Sequence, residues 1–154
     1  MLDGQINLSE SDLLYTLTLM HGEDYEDANV LILGGGDGAL LCQLLKEKPP
    51  PAHITMVELD EAVMTAVANH MPSVAEGVLD TSEGPHHDIV VGDAVKHLET
   101  CKRDGKQFDF VFGDLTDIPI DVEQDGNFNA VFPFQKSFDF RQGCLGFHNC
   151  HLRT

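Results

Sequence analysis

Apolar residues along this chain fall into four short runs separated by stretches with helical spacing. Residues 30–33, the run before Glu58, residues 89–91 and residues 108–112 are largely apolar, as strands buried on both faces are. After the first run, Leu40, Leu41, Leu44 and Leu45 recur at helical spacing, and three prolines at 49–51 end that pattern. This alternation of strands and helices predicts an α/β fold with a doubly wound, mostly parallel sheet.

Two further helices and a loop are predicted around this unit. Ser9 or Ser11 can cap a helix whose apolar face consists of Leu13, Leu14, Leu17 and Met20. A helix at 61–70 is expected to bury Val63, Ala66 and Val67. Residues 73–86, which contain two glycines and a proline, are predicted to form a long polar loop with a short helix. His70, His86 and His87 lack a metal-ligand pattern and are predicted to lie on the surface.

Glycines follow the first predicted strand at once, at positions 34, 35, 36 and 38. They permit a tight turn and let the backbone approach a ligand without a Cβ in between. Glu58 lies twenty positions beyond Gly38, near the end of the next strand, where a carboxylate commonly accepts hydrogen bonds from a ribose diol. The spacing therefore predicts a nucleoside site.

Asp37, inside the glycine turn, argues against a dinucleotide. A carboxylate within ~4 Å of a phosphate would repel it by about 1 to 4 kcal/mol, depending on the local dielectric. The turn suits a nucleoside without phosphates, and better one with a positive charge, such as S-adenosylmethionine and its relatives. The alternative is that Asp37 only caps the following helix, and a cap and a ligand contact can coexist.

All four predicted strands end close to an acidic residue, which is the second sign of a ligand site. Because a parallel sheet binds ligands outside the carboxyl ends of its strands, these side chains are expected to converge on one crevice. Like charges this close repel unless they share a cation or several hydroxyl and amine donors. A single acidic strand end would be explained by helix capping alone. The converging residues are Asp37, Glu58, Asp60, Asp93 and Asp114.

The composition of the chain limits the kinds of molecule that such a site can bind. The 26 acidic and 9 basic residues give a formal charge of −17, which argues against nucleic acid and anionic membranes as partners. The charge is compatible with a cationic substrate, and equally with a role in solubility alone. No apolar run predicts a membrane-spanning helix or a signal peptide. The four cysteines show no disulfide framework, so a cytoplasmic location is expected.

Several motifs together resemble one enzyme family. The segments LILGGGDG, TMVELD and FDFVFGDLTDIPI, with the strand end at Asp93, are similar to the catalytic domain of aminopropyltransferases. Within that family, SESDLLYT and DLTDIP resemble spermine synthases more than spermidine synthases. The resemblance covers roughly residues 3 to 122 and implies a Rossmann-like, methyltransferase-type fold. It implies aminopropyl transfer from decarboxylated S-adenosylmethionine to spermidine, which gives spermine and methylthioadenosine.

The resemblance also implies a role for individual residues. Glu58 would hold the ribose, Asp93 the adenine amino group and Asp37 the aminopropyl ammonium of the donor. Asp114 would orient the attacking amine and take its proton, with Tyr15 assisting at the acceptor site. No metal and no resident cofactor is implied, because decarboxylated S-adenosylmethionine is a co-substrate. The nucleoside- and substrate-binding residues implied are Gly34, Gly35, Gly36, Asp37, Gly38, Glu58, Asp60, Asp93, Ala94, Asp114 and Leu115.

The chain departs from the family pattern at several points. Ala39 replaces the usual next glycine, and Gly113 stands where spermine synthases often have Asn. No segment here resembles the family's dimerisation domain or later strands, so the sheet is expected to be incomplete on its C-terminal side and a homodimer stays open. Two regions are therefore expected, a partial nucleoside-binding catalytic domain at 1–122 and a divergent tail at 123–154. Cys144, His148, Cys150 and His151 in that tail are spaced too closely for the usual zinc knuckles.

Three functions remain open from the sequence. The first is an aminopropyltransferase of spermine-synthase type that acts on small-molecule substrates. The second is an S-adenosylmethionine-dependent methyltransferase, since the fold and nucleoside site are shared. The third is a non-catalytic member of the family, because the acceptor site is incomplete.

Overall fold

The computed structural model describes residues 13–115 and contains one five-stranded sheet. Its strands lie in the order β3-β4-β2-β1-β5, and β4, β2, β1 and β5 are parallel, whereas β3 runs antiparallel to β4. The predicted α/β class and mostly parallel sheet are confirmed. The strands are β1 Asn29–Gly34, β2 His53–Glu58, β3 Glu83–Gly84, β4 His87–Val91 and β5 Phe110–Asp114.

Helices connect these strands and cover both faces of the sheet. The helices are α1 Leu13–Met20, α2 Ala39–Lys46, α3 Glu61–His70, α4 Pro72–Ala75 and α5 Ala94–Asp104. The helix after the glycine turn ends before the three prolines as predicted, and α4 is the short helix expected in the loop. The two-residue strand β3 was not predicted, because two residues carry no period.

Strand register divides the core into two layers. Val30, Ile32 and Met56 point to the face that α1, α2 and α3 cover. Leu31 and Val57, one residue out of phase, point to the face that α5 covers. From β1 to β4 the chain moves outward through the sheet, and its connecting helices α2 and α3 lie on one face. Helix α5, on the other face, then connects β4 to β5 on the far side of β1. The order reverses between β1 and β5, and such a reversal is where a doubly wound sheet opens a ligand crevice.

The predicted apolar face of α1 is wrong except at Met20. Leu13, Leu14 and Leu17 are exposed by 46%, 75% and 45%, whereas the helix buries Thr16, Leu19 and Met20. Thr16, Leu19 and Met20 form a second stripe with spacing i, i+3, i+4, so periodicity alone does not choose between the two stripes. The choice is made by Tyr25, whose ring packs on Phe110 of β5 and whose hydroxyl donates to the Met20 carbonyl oxygen at 2.9 Å.

Two other side-chain placements also differ from prediction. Helix α3 buries Met64 and Val67, whereas Val63 is half-buried and Ala66 is exposed. The long Met64 side chain reaches the core where a short alanine would not. His87 is buried. It is the first residue of β4 and pairs with Ile54, which faces α1, α2 and α3, and its ring lies against Gly84. His70 and His86 are exposed as predicted.

Among residues 13–115, no helix has both the length and the apolar character needed to cross a membrane. Cys42 and Cys101 lie buried in α2 and α5 as free thiols, where each packs as a small apolar residue.

Candidate active site

The carboxyl ends of the parallel strands meet at one edge of the sheet, as the sequence predicted. Gly34 at the end of β1 pairs with Asp114 at the end of β5, and Glu58 at the end of β2 pairs with Val91 of β4. The structure therefore brings Glu58 and Asp114 to the two sides of the glycine turn that follows β1. Asp60 and Asp93 lie farther out, just after β2 and β4.

The glycine turn is shaped by close contact with β5. Gly34 and Gly35 have φ angles of +85° and +76°, which residues with a side chain rarely adopt. The Gly35 N–H donates to the Asp114 carbonyl oxygen at 3.1 Å, and a Cβ on Gly34 would overlap that carbonyl group. Glycine is therefore required here by β5 itself, before any ligand is considered.

Asp37 caps the helix that follows the turn. Its Oδ1 accepts from the Ala39 N–H at 2.9 Å, whereas Gly38, which directly precedes α2, has a left-handed φ of +71°. A carboxylate thus occupies the start of α2, where a pyrophosphate would otherwise bind. The capping contact that was the simple explanation of Asp37 is present, and its contact with a ligand stays a prediction.

The Glu58 carboxylate is held between β2 and the glycine turn. One oxygen, Oε1, accepts from the Asp60 N–H at 2.8 Å. The other, Oε2, lies 2.8 Å from the position that a Cβ on Gly36 would take. Glu58 is therefore fixed before a ligand arrives, with its carboxylate against the turn.

Asp60 and Asp93 both begin helices at the rim of the crevice. Asp60 accepts from the Ala62 N–H at 2.8 Å at the start of α3. Asp93 accepts from the Val95 N–H at 2.8 Å and the Lys96 N–H at 3.4 Å at the start of α5, which opens with Ala94. Both aspartates are exposed, and their proposed ligand contacts, like that of Ala94, stay predictions.

Asp114 has the most altered acidity at this edge. Burial, and after it the nearby carboxylates of Asp37 and Glu58, together raise its pKa from 3.8 to about 6. Its Oδ2 lies 3.6 Å from the Cβ position of Gly35. The carboxylates of Asp114 and Glu58 therefore lie beside Gly35 and Gly36, and Asp37 follows in the same turn. A carboxyl with this pKa can give or take a proton close to neutral pH.

Apolar side chains stand exposed around the same crevice. Leu59 follows the last residue of β2 and is 73% exposed, and Val91, which pairs with Glu58, is 52% exposed. Val95, in the first turn of α5, is 64% exposed. Leu115, exposed by 59%, follows Asp114, and its Cδ2 lies 3.2 Å from the Cβ position of Gly34. Apart from Leu115, these residues were missed from the sequence. The sequence did contain a signal for them, because each lies within two residues of an acidic residue at a strand end or helix start. Leu59 lies between Glu58 and Asp60, and Val91 and Val95 flank Asp93.

Tyr15 is the predicted site residue that the strand ends do not position. It lies on α1, which packs against α2 and the core, and its side chain is 38% exposed. Its assignment to the acceptor site stays a prediction.

Replacing Gly36 by Ala is expected to displace the Glu58 carboxylate and to break its bond to the Asp60 N–H. Losing one charge-assisted hydrogen bond should lower the free energy of unfolding by about 1 to 2 kcal/mol. Denaturant unfolding of the purified variant measures this. Gly92→Ala is the matched control, because a Cβ on Gly92 meets nothing within 4 Å and its φ is not positive. Equal losses in the two variants would contradict the close approach of Glu58.

The sheet is parallel at β4, β2, β1 and β5, its order switches between β1 and β5, and a glycine turn follows β1. These features define a Rossmann-like domain. Residues 9–139 match the family model described as the spermine/spermidine synthase domain, which is most of the 154-residue chain. The chain belongs to this family. The matched range extends past residue 122, the boundary suggested by the motifs.

Curated relatives are named polyamine aminopropyltransferases. The protein of Korarchaeum cryptofilum is 38% identical over 109 residues, which cover 69% of this chain and 32% of the relative. The protein of Pectobacterium carotovorum is 33% identical over 147 residues, which cover 93% of this chain and 45% of the relative. The chain thus spans less than half the length of these relatives.

Solved structures agree with the fold. A spermidine synthase in complex with the transition-state analogue AdoDATO superposes with a TM-score of 0.57 at 26% identity, covering 69% of this chain and 34% of that one. Human methyltransferase-like protein 13 in complex with SAH superposes with a TM-score of 0.50 at 16% identity, covering 71% and 48%. The second likeness shows the fold alone.

Proposed function

We propose that this chain is the catalytic core of an aminopropyltransferase of spermine-synthase type. It would transfer the aminopropyl group of decarboxylated S-adenosylmethionine to spermidine, giving spermine and methylthioadenosine. The observation that carries the proposal is the group of three carboxylates, Asp37, Glu58 and Asp114, around one glycine turn at the switch point of the sheet. The names of the relatives support aminopropyl transfer, and the segments SESDLLYT and DLTDIP support the spermine type.

The crevice has two ends of different character, which suits a nucleoside with a cationic arm. Leu59, Val91 and Val95 are exposed near the ends of β2 and β4, where a flat adenine would find apolar surface. Asp37 and Asp114 lie at the ends of β1 and β5, where a sulfonium and an ammonium would find negative charge. Glu58 lies between the two ends, in the right place for a ribose diol.

Asp114 has the properties of the base in this reaction. The acceptor amine must lose its proton before its nitrogen attacks the donor's methylene carbon and the carbon–sulfur bond breaks. Asp114 would take that proton, and its pKa near 6 makes it a stronger base than an ordinary aspartate. The leaving group is a neutral thioether, so no donor to a developing anion is required. Asp37 would hold the aminopropyl ammonium, and Tyr15 would assist at the acceptor site.

The proposal includes no metal and no resident cofactor. Its partners would be a small-molecule polyamine and the adenosyl donor, with neither nucleic acid nor membrane, and whether the chain forms a homodimer is left open. It would act in the cytoplasm, where the buried thiols of Cys42 and Cys101 would stay reduced.

A methyltransferase is the second candidate, because methyltransferase-like protein 13 shares the fold. The charge of the crevice argues against it. S-adenosylmethionine carries a carboxylate that would lie among Asp37, Glu58 and Asp114, whereas the decarboxylated donor lacks it. Repulsion of about 1 to 4 kcal/mol at ~4 Å corresponds to at least fivefold weaker binding of the carboxylated donor.

Calorimetric titration of the 154-residue chain tests these alternatives. Methylthioadenosine should bind in the micromolar range, and decarboxylated S-adenosylmethionine should bind at least fivefold more tightly than S-adenosylmethionine. A product assay with spermidine and putrescine as acceptors would then test the spermine type. A reversed donor preference would favour a methyltransferase. A chain that unfolds cooperatively and binds none of these compounds would be a non-catalytic member of the family.

A further inference from the structure

The carboxylates of Asp37 and Glu58 are close enough to that of Asp114 for their charges to act on it. Asp114 Oδ2 lies 3.6 Å from the Cβ position of Gly35, and Glu58 Oε2 lies 2.8 Å from that of the next residue, Gly36. Asp37 follows directly in the chain. The three carboxylates therefore lie along one turn, and we call them the turn carboxylates: Asp37, Glu58 and Asp114.

No described residue supplies Asp114 with a compensating positive charge. The charged groups that act on it are Asp37, from the turn after β1, and Glu58, from β2, and both are negative. Ile32 and Met56, whose side chains also lie beside Gly35, are uncharged. Three negative charges in one partly buried place are unfavourable, so the empty site is expected to hold a proton on Asp114 below about pH 6.

We propose that this crevice exchanges a proton for its cationic ligand, so that binding of an ammonium or sulfonium arm releases the proton that Asp114 holds among the turn carboxylates. This inference rests on the proposed function, which places such an arm beside Asp37 and Asp114. The exchange balances as one proton leaving the carboxyl group of Asp114 for the buffer while one positive charge enters. The occupied and empty crevices then carry nearly the same net charge.

Proton release depends on pH in a defined way. With a pKa of about 6 in the empty site, a cationic ligand should release about one proton at pH 5, about half at pH 6 and almost none at pH 8. The affinity for the cation should therefore rise about tenfold between pH 5 and pH 7 and level off above. A neutral ligand of the same crevice should show neither effect.

Two adenosyl thioethers that differ by one charge test this inference on the full chain. Methylthioadenosine has an uncharged arm, and 5′-(3-aminopropyl)thioadenosine ends in an ammonium. Each is titrated at pH 5, 6, 7 and 8 in two buffers with different enthalpies of ionisation, and the difference in heat gives the protons released. We expect release with the aminopropyl compound only, and an affinity ratio that changes about tenfold across the series.

Variants separate the turn carboxylates from the rest of the crevice. Asp114→Asn should abolish proton release and make the affinity ratio independent of pH, and Asp37→Asn should move the midpoint to lower pH. Asp27→Asn is the matched control, because Asp27 is exposed just before β1, at the opposite end of the strands, and Asn tolerates its φ of +56°. It should leave proton release intact.

The outcomes distinguish this inference from the function on which it rests. If both compounds bind and their affinities change equally with pH, proton exchange is refuted and the nucleoside site stands. Proton release that survives Asp114→Asn would also overturn the inference. If the folded chain binds neither compound, the proposed function fails and the inference with it.

Discussion

Replacing Asp114 by Asn is expected to abolish aminopropyl transfer and, at the same time, to stabilise the ligand-free chain at neutral pH. Removal of the proton acceptor should lower kcat by about 10²- to 10⁴-fold. Affinity for methylthioadenosine should stay within a few-fold, because that ligand brings no charge to Asp114. Kinetics with decarboxylated donor and spermidine, together with calorimetry, measure both effects. Loss of turnover and nucleoside affinity together would contradict this role of Asp114.

The gain in stability follows from the direction of the pKa shift. The pKa of Asp114 is higher in the folded chain, at about 6, than its ordinary value of 3.8. Folding therefore costs free energy wherever Asp114 must be ionised, and this cost appears as pH rises from about 4 through about 6. The full shift corresponds to about 3 kcal/mol, so Asn should raise the free energy of unfolding by about 1 to 3 kcal/mol at pH 8.

Denaturant unfolding at several pH values provides the check on that gain. The curves of wild type and Asp114→Asn should separate at pH 8 and converge near pH 4, where Asp114 of the folded wild type is already protonated. Asp109→Asn is not a suitable control, since the Asp109 carboxylate accepts from the Asn29 N–H at 2.9 Å. Asp80→Asn, at an exposed position in the loop after α4, is a better one and should leave the pH profile unchanged. A variant less stable than wild type at pH 8 would show that Asp114 forms compensating contacts.

Replacing Glu58 by Gln is expected to weaken the binding of adenosyl compounds by about 10- to 100-fold. The affinity for spermidine should stay within a few-fold of its wild-type value. Gln keeps the shape of Glu and can still accept from the Asp60 N–H, but it loses the charge that strengthens hydrogen bonds from a ribose diol. Two such bonds, each weakened by about 1 kcal/mol, account for the expected loss. Calorimetry with methylthioadenosine and with spermidine measures the two affinities separately.

Glu61→Gln is the control for this substitution. Glu61 lies three residues further along, exposed in the first turn of α3, so the same chemical change occurs away from the turn. It should leave both affinities unchanged. Equal weakening of nucleoside and spermidine by Glu58→Gln would refute the assignment of Glu58 to the ribose.

The main architecture could be predicted because its signals are local. A continuous apolar run followed by glycines identified β1 and its turn, and acidic residues marked the ends of β2, β4 and β5. Since parallel strands place their carboxyl ends at one edge, the meeting of Glu58 and Asp114 followed from topology alone. The pKa of Asp114 did not, because it depends on burial and on two neighbours distant in sequence.

The misassigned side chains have a common cause in tertiary packing. Leu13 and Leu17 were expected inside, but Tyr25 and Phe110 select the other side of α1. His87 is polar, yet β4 begins beside Ile54 and buries it. In each case the local pattern allowed two answers, and a residue from a distant element chose between them.

Helix capping at the crevice has a consequence for how this protein can change by mutation. Asp37, Asp60 and Asp93 each accept an N–H at the start of a helix, at distances of 2.8 to 2.9 Å. Most replacements at these positions would therefore impair folding as well as binding, whereas Asn, Ser, Thr or Gly would largely spare the helix. Asp114 begins no described helix, so it can change without that penalty. Loss of activity on replacing Asp114 therefore reports on the reaction alone, whereas losses at the three caps combine folding and binding.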